Sequence, residues 1–219
     1  PTPYGEIEKS AIENEIKENT AMVSTIYVNN EVGTVQPIEK IAEIIKSKNK
    51  NCILHTDCVQ AFGKHPINGK HFDAISVSGH KIHCPKGVGV LYLRKGVRAK
   101  NLHFGGGQEK GFRPGTENTG SIVAMGLGAE IAKRDLEKNF EKVKAVKEKL
   151  MTICDILPDV YVNGDSENGS PYILNLSFEG VKGEVLLHAL ENYEIYVATG
   201  SACSSRAKEK KKIVDYLID

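Results

Sequence analysis

The sequence predicts an α/β fold: a mostly parallel sheet with helices on its faces, followed by a smaller C-terminal α/β portion. Three observations predict it. Short apolar, β-branched segments at 22–28, 52–56, 73–78 and 88–93 read as strands. Pro37 followed by Ile38, Ile41, Ile44 and Ile45 gives a helix start and helical spacing between the first two strands. Strand–helix–strand alternation of this kind builds parallel pairing with covered faces.

The elements follow in order. Pro1-Thr2-Pro3-Tyr4-Gly5 reads as loop, and apolar spacing at Ile7, Ile12 and Ile16 predicts a polar helix over 7–19. The strand at 22–28 gives way to Asn29-Asn30-Glu31-Val32-Gly33, two amides and an acid at a strand end. The strand at 52–56 ends in Asp57, a short crossover covers 58–70, and the strand at 73–78 delivers Lys81. The segment 88–93 reads as a further buried strand. A glycine-dense stretch, Gly105-Gly106-Gly107 to Gly115-Thr116, interrupts the pattern. From 121 to about 153 one helix is expected, with apolar Ile131, Leu136, Phe140, Val143 and Leu150 on it. Its character changes from small to highly charged residues near Lys133. That change places a boundary between a large domain, 1–132, and a small domain, 133–219. The small domain is expected to hold strands at 160–162, 172–178 and 195–198 and a helix at 183–192.

Bulk properties exclude several classes. The 219 residues suffice for a sizeable apolar core. Lys+Arg 29 against Asp+Glu 28 leaves a net charge of +1, so nothing favours nucleic acid or an anionic membrane. No apolar run approaches the roughly 20 residues that span a bilayer, and no apolar signal segment opens the chain. The five cysteines are odd in number and sit within regular elements, which suits reduced thiols in a cytoplasmic setting.

Lys81 and Asp57 are the residues to which chemistry attaches first. Loops at strand ends are positioned by a rigid sheet. An amine and a carboxylate there match what pyridoxal phosphate requires. The lysine forms the Schiff base, and the acid keeps the pyridine nitrogen protonated. Ser78 and His80 are suited to a phosphate, and Gln60 or Asn30 to the ring's phenolic oxygen. Thr116 and Arg113 end the glycine loop with a hydroxyl and a guanidinium, both apt for phosphate. Cys52-x2-His55-x2-Cys58 looks like a metal pattern, but Cys52 and His55 lie three apart on a strand and point to opposite faces. No metal site is expected. Gly200-Ser201-Ala202-Cys203-Ser204-Ser205 places a thiol among small residues in a loop able to move.

The set Val28-Asn29-Asn30-Glu31-Val32-Gly33, His55-Thr56-Asp57-Cys58-Val59-Gln60, Ser78-Gly79-His80-Lys81, Gly105-Gly106-Gly107-Gln108-Glu109, Arg113-Pro114-Gly115-Thr116 and Gly200-Ser201-Ala202-Cys203-Ser204-Ser205 resembles the cysteine desulfurases. These are fold-type I pyridoxal phosphate enzymes of the class-V aminotransferase family. The Ser-Ala-Cys-Ser loop resembles the first group, which serves iron–sulfur assembly and tRNA thiolation. The resemblance implies that L-cysteine is the substrate and Lys81 the Schiff-base lysine. Asp57 would partner the pyridine nitrogen, and Gln60 and Asn30 would hold the ring hydroxyl and substrate side. Ser78 and His80 would take the phosphate. Thr116 would reach the phosphate of a neighbouring subunit in a homodimer, and Cys203 would form the persulfide. It further implies a sulfur-acceptor protein as partner, such as an iron–sulfur scaffold or a tRNA-thiolation enzyme.

Relative to that family the chain is expected to be incomplete. Family members carry a preceding segment with a Gly-x-Thr phosphate loop and a ring-stacking histidine. They also carry a longer stretch, including a carboxylate-binding arginine, where this sequence runs from Arg206 to Ile213. Two alternatives stand beside the desulfurase reading: another class-V enzyme, such as a selenocysteine lyase or aminotransferase, and a non-catalytic fragment that docks sulfur acceptors.

Overall fold

The computed structural model describes residues 1–199 and Leu217. In chain order the elements are α1 (Lys9–Glu15), β1 (Met22–Ile26), α2 (Ile38–Lys48), β2 (Ile53–Asp57), β3 (Ala74–Ser78) and β4 (Gly89–Leu93). After these come α3 (Thr119–Arg134), α4 (Leu136–Met151), α5 (Ile153–Ile156), β5 (Val160–Val162), β6 (Leu176–Phe178) and α6 (Gly183–Glu191). The chain gathers into two compact units. One comprises 15–27 and 38–137, the other 1–14, 28–37 and the described residues from 138 onward.

The first of these contains a four-stranded sheet in the order β1-β2-β3-β4. β1 pairs with β2 and β2 with β3 in parallel, while β4 returns antiparallel along β3. Alternation explains β2: Leu54 and Thr56 are fully buried, while Ile53, His55 and Asp57 are half-buried. On α2 the buried residues Ile38, Ile41, Ala42 and Ile45 repeat at three- and four-residue intervals, which is one helical stripe. The sheet is also tied by polar bonds. His55 Nδ1 lies 2.7 Å from Ser24 Oγ on β1, and its Nε2 lies 2.7 Å from Ser76 Oγ on β3. One imidazole thus links three adjacent strands, its tautomer setting which hydroxyl donates.

In the other unit β5 and β6 form an antiparallel pair. The Lys147 ammonium is buried and donates to the Ser170 carbonyl at 3.0 Å. Asn175 Nδ2 donates to the Glu31 carbonyl at 3.1 Å, and its Oδ1 accepts from Asn163 Nδ2 at 2.9 Å.

Several expectations need correction. The segment 7–19 is helical only over Lys9–Glu15, because Thr20 Oγ1 takes the Lys17 amide and closes a turn. The single helix expected over 121–153 is broken at Asp135, whose backbone (φ −100°, ψ 7°) leaves the helix while its carboxylate accepts two bonds from Arg134. Of 172–178 only Leu176–Phe178 is strand, since its partner β5 offers three residues. Residues 195–198 pair with no strand among the described residues. Ile195 N instead donates to Leu190 O at the end of α6.

Candidate active site

Asp57 is the last residue of β2 and lies in register with Ser76 on the parallel strand β3. β3 ends at Ser78, and the chain turns directly into a 3-10 helix, Gly79–Ile82, that carries His80 and Lys81. Parallel pairing therefore brings the carboxylate and the lysine-bearing turn out at the same end of the sheet. Gly79 makes this tight turn feasible: a Cβ there would lie 2.7 Å from a Val88 methyl and 3.0 Å from the Met125 sulfur.

The side chains divide their bonding usefully. Asp57 Oδ1 accepts the Val59 amide at 2.9 Å, an Asx turn that leaves Oδ2 as the second acceptor. Ser78 Oγ and His80 Nδ1 lie 2.7 Å apart. Lys81 is half-buried and His80 exposed. Beside the carboxylate, burial together with the Asp57 charge pushes the Cys58 thiol up to about 12, so this cysteine stays neutral. Gln60 follows in the turn after β2, its Oε1 accepting from Lys64 Nζ at 3.2 Å.

The structure thus brings Asp57, Gln60, Ser78, His80 and Lys81 onto consecutive segments of one unit. Thr116 belongs to the same unit, on an exposed loop where its carbonyl lies 3.4 Å from the Arg113 guanidinium. Asn30 is exposed in the other unit, within a loop built by its neighbour. Asn29 Oδ1 accepts the amides of Glu31 and Val32 at 2.8 and 3.0 Å. Cys203, and the stretch from Arg206 to Ile213 where a segment was expected to be missing, lie outside the described residues. Lys64 was absent from the sequence expectations. Its position four residues after Gln60 was the available signal.

These residue types fit pyridoxal phosphate. An acceptor-only carboxylate oxygen suits a ring N–H, an amine suits an aldehyde, and a hydroxyl–imidazole pair suits phosphate.

The chain matches the aminotransferase class-V family over residues 1–215. It is 41% identical over 214 residues to a cysteine desulfurase of Nostoc sp., covering 96% of this chain and 53% of that protein. It is also 41% identical over 202 residues to the cysteine desulfurase NifS of Azotobacter vinelandii, covering 91% of this chain and 50% of that one. A solved NifS-like protein superimposes with a TM-score of 0.86 at 38% identity, covering 90% of this chain and 55% of the other. The chain belongs to the class-V aminotransferase family, whose members depend in general on pyridoxal phosphate, and it shares the fold-type I transferase architecture. It spans about half the length of the curated relatives it matches.

Proposed function

We propose that the protein is a cysteine desulfurase that converts L-cysteine to L-alanine and leaves a persulfide on Cys203. The observation that carries this reading is the shared strand end. Asp57, in register with Ser76, sits beside the turn that presents Ser78, His80 and Lys81. The 41% identity to named cysteine desulfurases supports the same reaction. When bound, pyridoxal phosphate supplies an electron sink for charge developing at the substrate Cα.

The chain's own residues have distinct tasks in this reading. Asp57 Oδ2 holds a proton on the cofactor's ring nitrogen. Ser78 and His80 bind the phosphate, joined by Thr116 of a neighbouring subunit in a homodimer. Gln60 and Asn30 face the ring hydroxyl and the substrate side. The Lys81 amine removes the Cα proton and returns a proton to carbon. The Cys203 thiolate attacks the substrate sulfur. An S–S bond forms as the Cβ–S bond breaks, giving alanine and a Cys203 persulfide. The persulfide then passes sulfur to an acceptor protein that serves iron–sulfur clusters or tRNA thiolation, in a cytoplasmic setting. The division into a cofactor-binding domain, 1–132, and a small domain carrying Cys203, 133–219, belongs to the same reading. No described helix is long and apolar enough to cross a membrane.

The test is a pair of variants. Lys81→Ala should abolish the yellow colour of the cofactor-loaded protein. Cys203→Ser should keep that colour and lose sulfide release from L-cysteine. A Cys203→Ser protein that still desulfurates would favour another class-V activity.

A further inference from the structure

The turn that follows Asp57 is held close to Lys81 by packing. Ala61 N and Phe62 N both donate to the Cys58 carbonyl, at 3.0 and 2.8 Å, and Lys64 N donates to Ala61 O at 3.0 Å. Gly63 has φ +74°, and a Cβ there would lie 2.9 Å from an Ile82 methyl and 2.8 Å from the Ala132 methyl. Only glycine permits both the left-handed backbone and this approach. Ile82 is the residue after Lys81, so the contact seats the turn against the lysine-bearing segment. Lys64 stands next to Gly63, and burial together with the nearby Lys81 charge lowers the pKa of its ammonium.

The Lys64 ammonium is a donor only. Its 3.2 Å contact must therefore be with the oxygen of the Gln60 amide, leaving the two amide hydrogens as the other end. Resting on the pyridoxal phosphate reading above, we propose that Lys64 is a positioning residue. It fixes the Gln60 amide by its oxygen and so presents the N–H pair as the donor for the cofactor's anionic ring oxygen. An unanchored amide flips freely between donor and acceptor ends, and an acceptor facing an anion repels it.

The experiment is a double-mutant cycle read as the dissociation constant of pyridoxal phosphate, with the visible absorption maximum recorded for each variant. Lys64→Met and Gln60→Ala should each weaken binding about tenfold, the scale of one charge-assisted hydrogen bond. The double variant should bind about as Gln60→Ala alone, because the lysine acts through the glutamine. Lys64→Arg, which also donates to the amide oxygen, should restore affinity. Gln60→Glu, which removes the N–H donors while leaving Lys64 in place, should weaken binding at least as much as Gln60→Ala and guards against misfolding of the lysine variant. Wild-type affinity in Lys64→Met or Gln60→Glu, or penalties that multiply in the double variant, would overturn the proposal. A wild-type protein that takes up no pyridoxal phosphate overturns the proposed function and this inference with it. Uptake by wild type and Lys64→Met alike overturns the inference alone.

Discussion

The Lys46 ammonium lies 2.7 Å from the Asp73 carboxylate, which is itself 8% exposed. The same Asp73 oxygen accepts the Leu54 amide of β2 at 2.9 Å, and the other oxygen lies 3.6 Å from the Arg94 guanidinium. One carboxylate therefore joins the end of α2, strand β2 and the residue after β4. Burial opposes its charge, but the Leu54 amide, Lys46 and Arg94 outweigh that and hold its pKa below the ordinary range. Asp73→Asn should cost about 2–3 kcal/mol at neutral pH, measured by urea denaturation. Because the folded pKa is depressed, this stability is complete above about pH 4 and fades as pH falls through the lower folded value. The variant should lack that acid-dependent component, and an unchanged profile would refute the assignment.

His65 supplies a second pH signature at higher pH. Burial, reinforced by the Lys64 charge, lowers it to about 4. The unfolded chain thus takes up a proton near pH 6.5 that the folded chain resists until about 4. Stability should be full above pH 6.5 and decline by on the order of 2–3 kcal/mol down to pH 4. In His65→Asn the slope of unfolding free energy over that window should flatten.

Gly63→Ala combines a left-handed backbone with a steric clash against Ile82 and Ala132. It should destabilise by about 2 kcal/mol or more. Gly96 also has positive φ, +95°, but a Cβ there meets nothing within 4 Å among the described residues. Gly96→Ala should cost only about 1 kcal/mol. Equal costs for the two variants would show that close packing at Gly63 contributes nothing.

Thr56 is fully buried on β2, and its hydroxyl finds no hydrogen-bond partner among the described residues. Thr56→Val keeps the shape and removes an unsatisfied polar group, so it should stabilise by about 1 kcal/mol. A loss of stability in thermal melts would reveal a partner for that oxygen.

Cys52 and Cys58 are both buried, and burial raises both thiols. Under native conditions at neutral pH a thiol reagent should leave these two unmodified, while unfolding in urea should expose them. Peptide mapping after labelling checks this. Rapid native labelling of Cys58 would contradict its neutral, enclosed state.

Much of the first unit was legible because its signals are local. Alternation over 52–56, the isoleucine spacing after Pro37 and the small residues after Ser76 each report on a few neighbours in sequence. They placed β2, α2 and the Lys81 turn within a residue or two. The apolar periodicity from 121 to 153 was misleading, because amphipathic spacing continues through Asp135 although its backbone leaves the helix. Strand extent in 172–178 depended on a three-residue partner that local pattern does not reveal.

By itself the sequence determined which residue types stand at which strand ends: a carboxylate at Asp57, an amine at Lys81, a hydroxyl–imidazole pair between them. It also carried the family resemblance, because those motifs are strings of neighbours. Only the tertiary structure decided that Asp57 and Ser76 share a register and that Gly63 seats its turn on Ile82, next to Lys81. Those facts depend on strand pairing and on close approach between segments distant in sequence. Such contacts are set by the packing of the whole unit, and no window of neighbouring residues contains them.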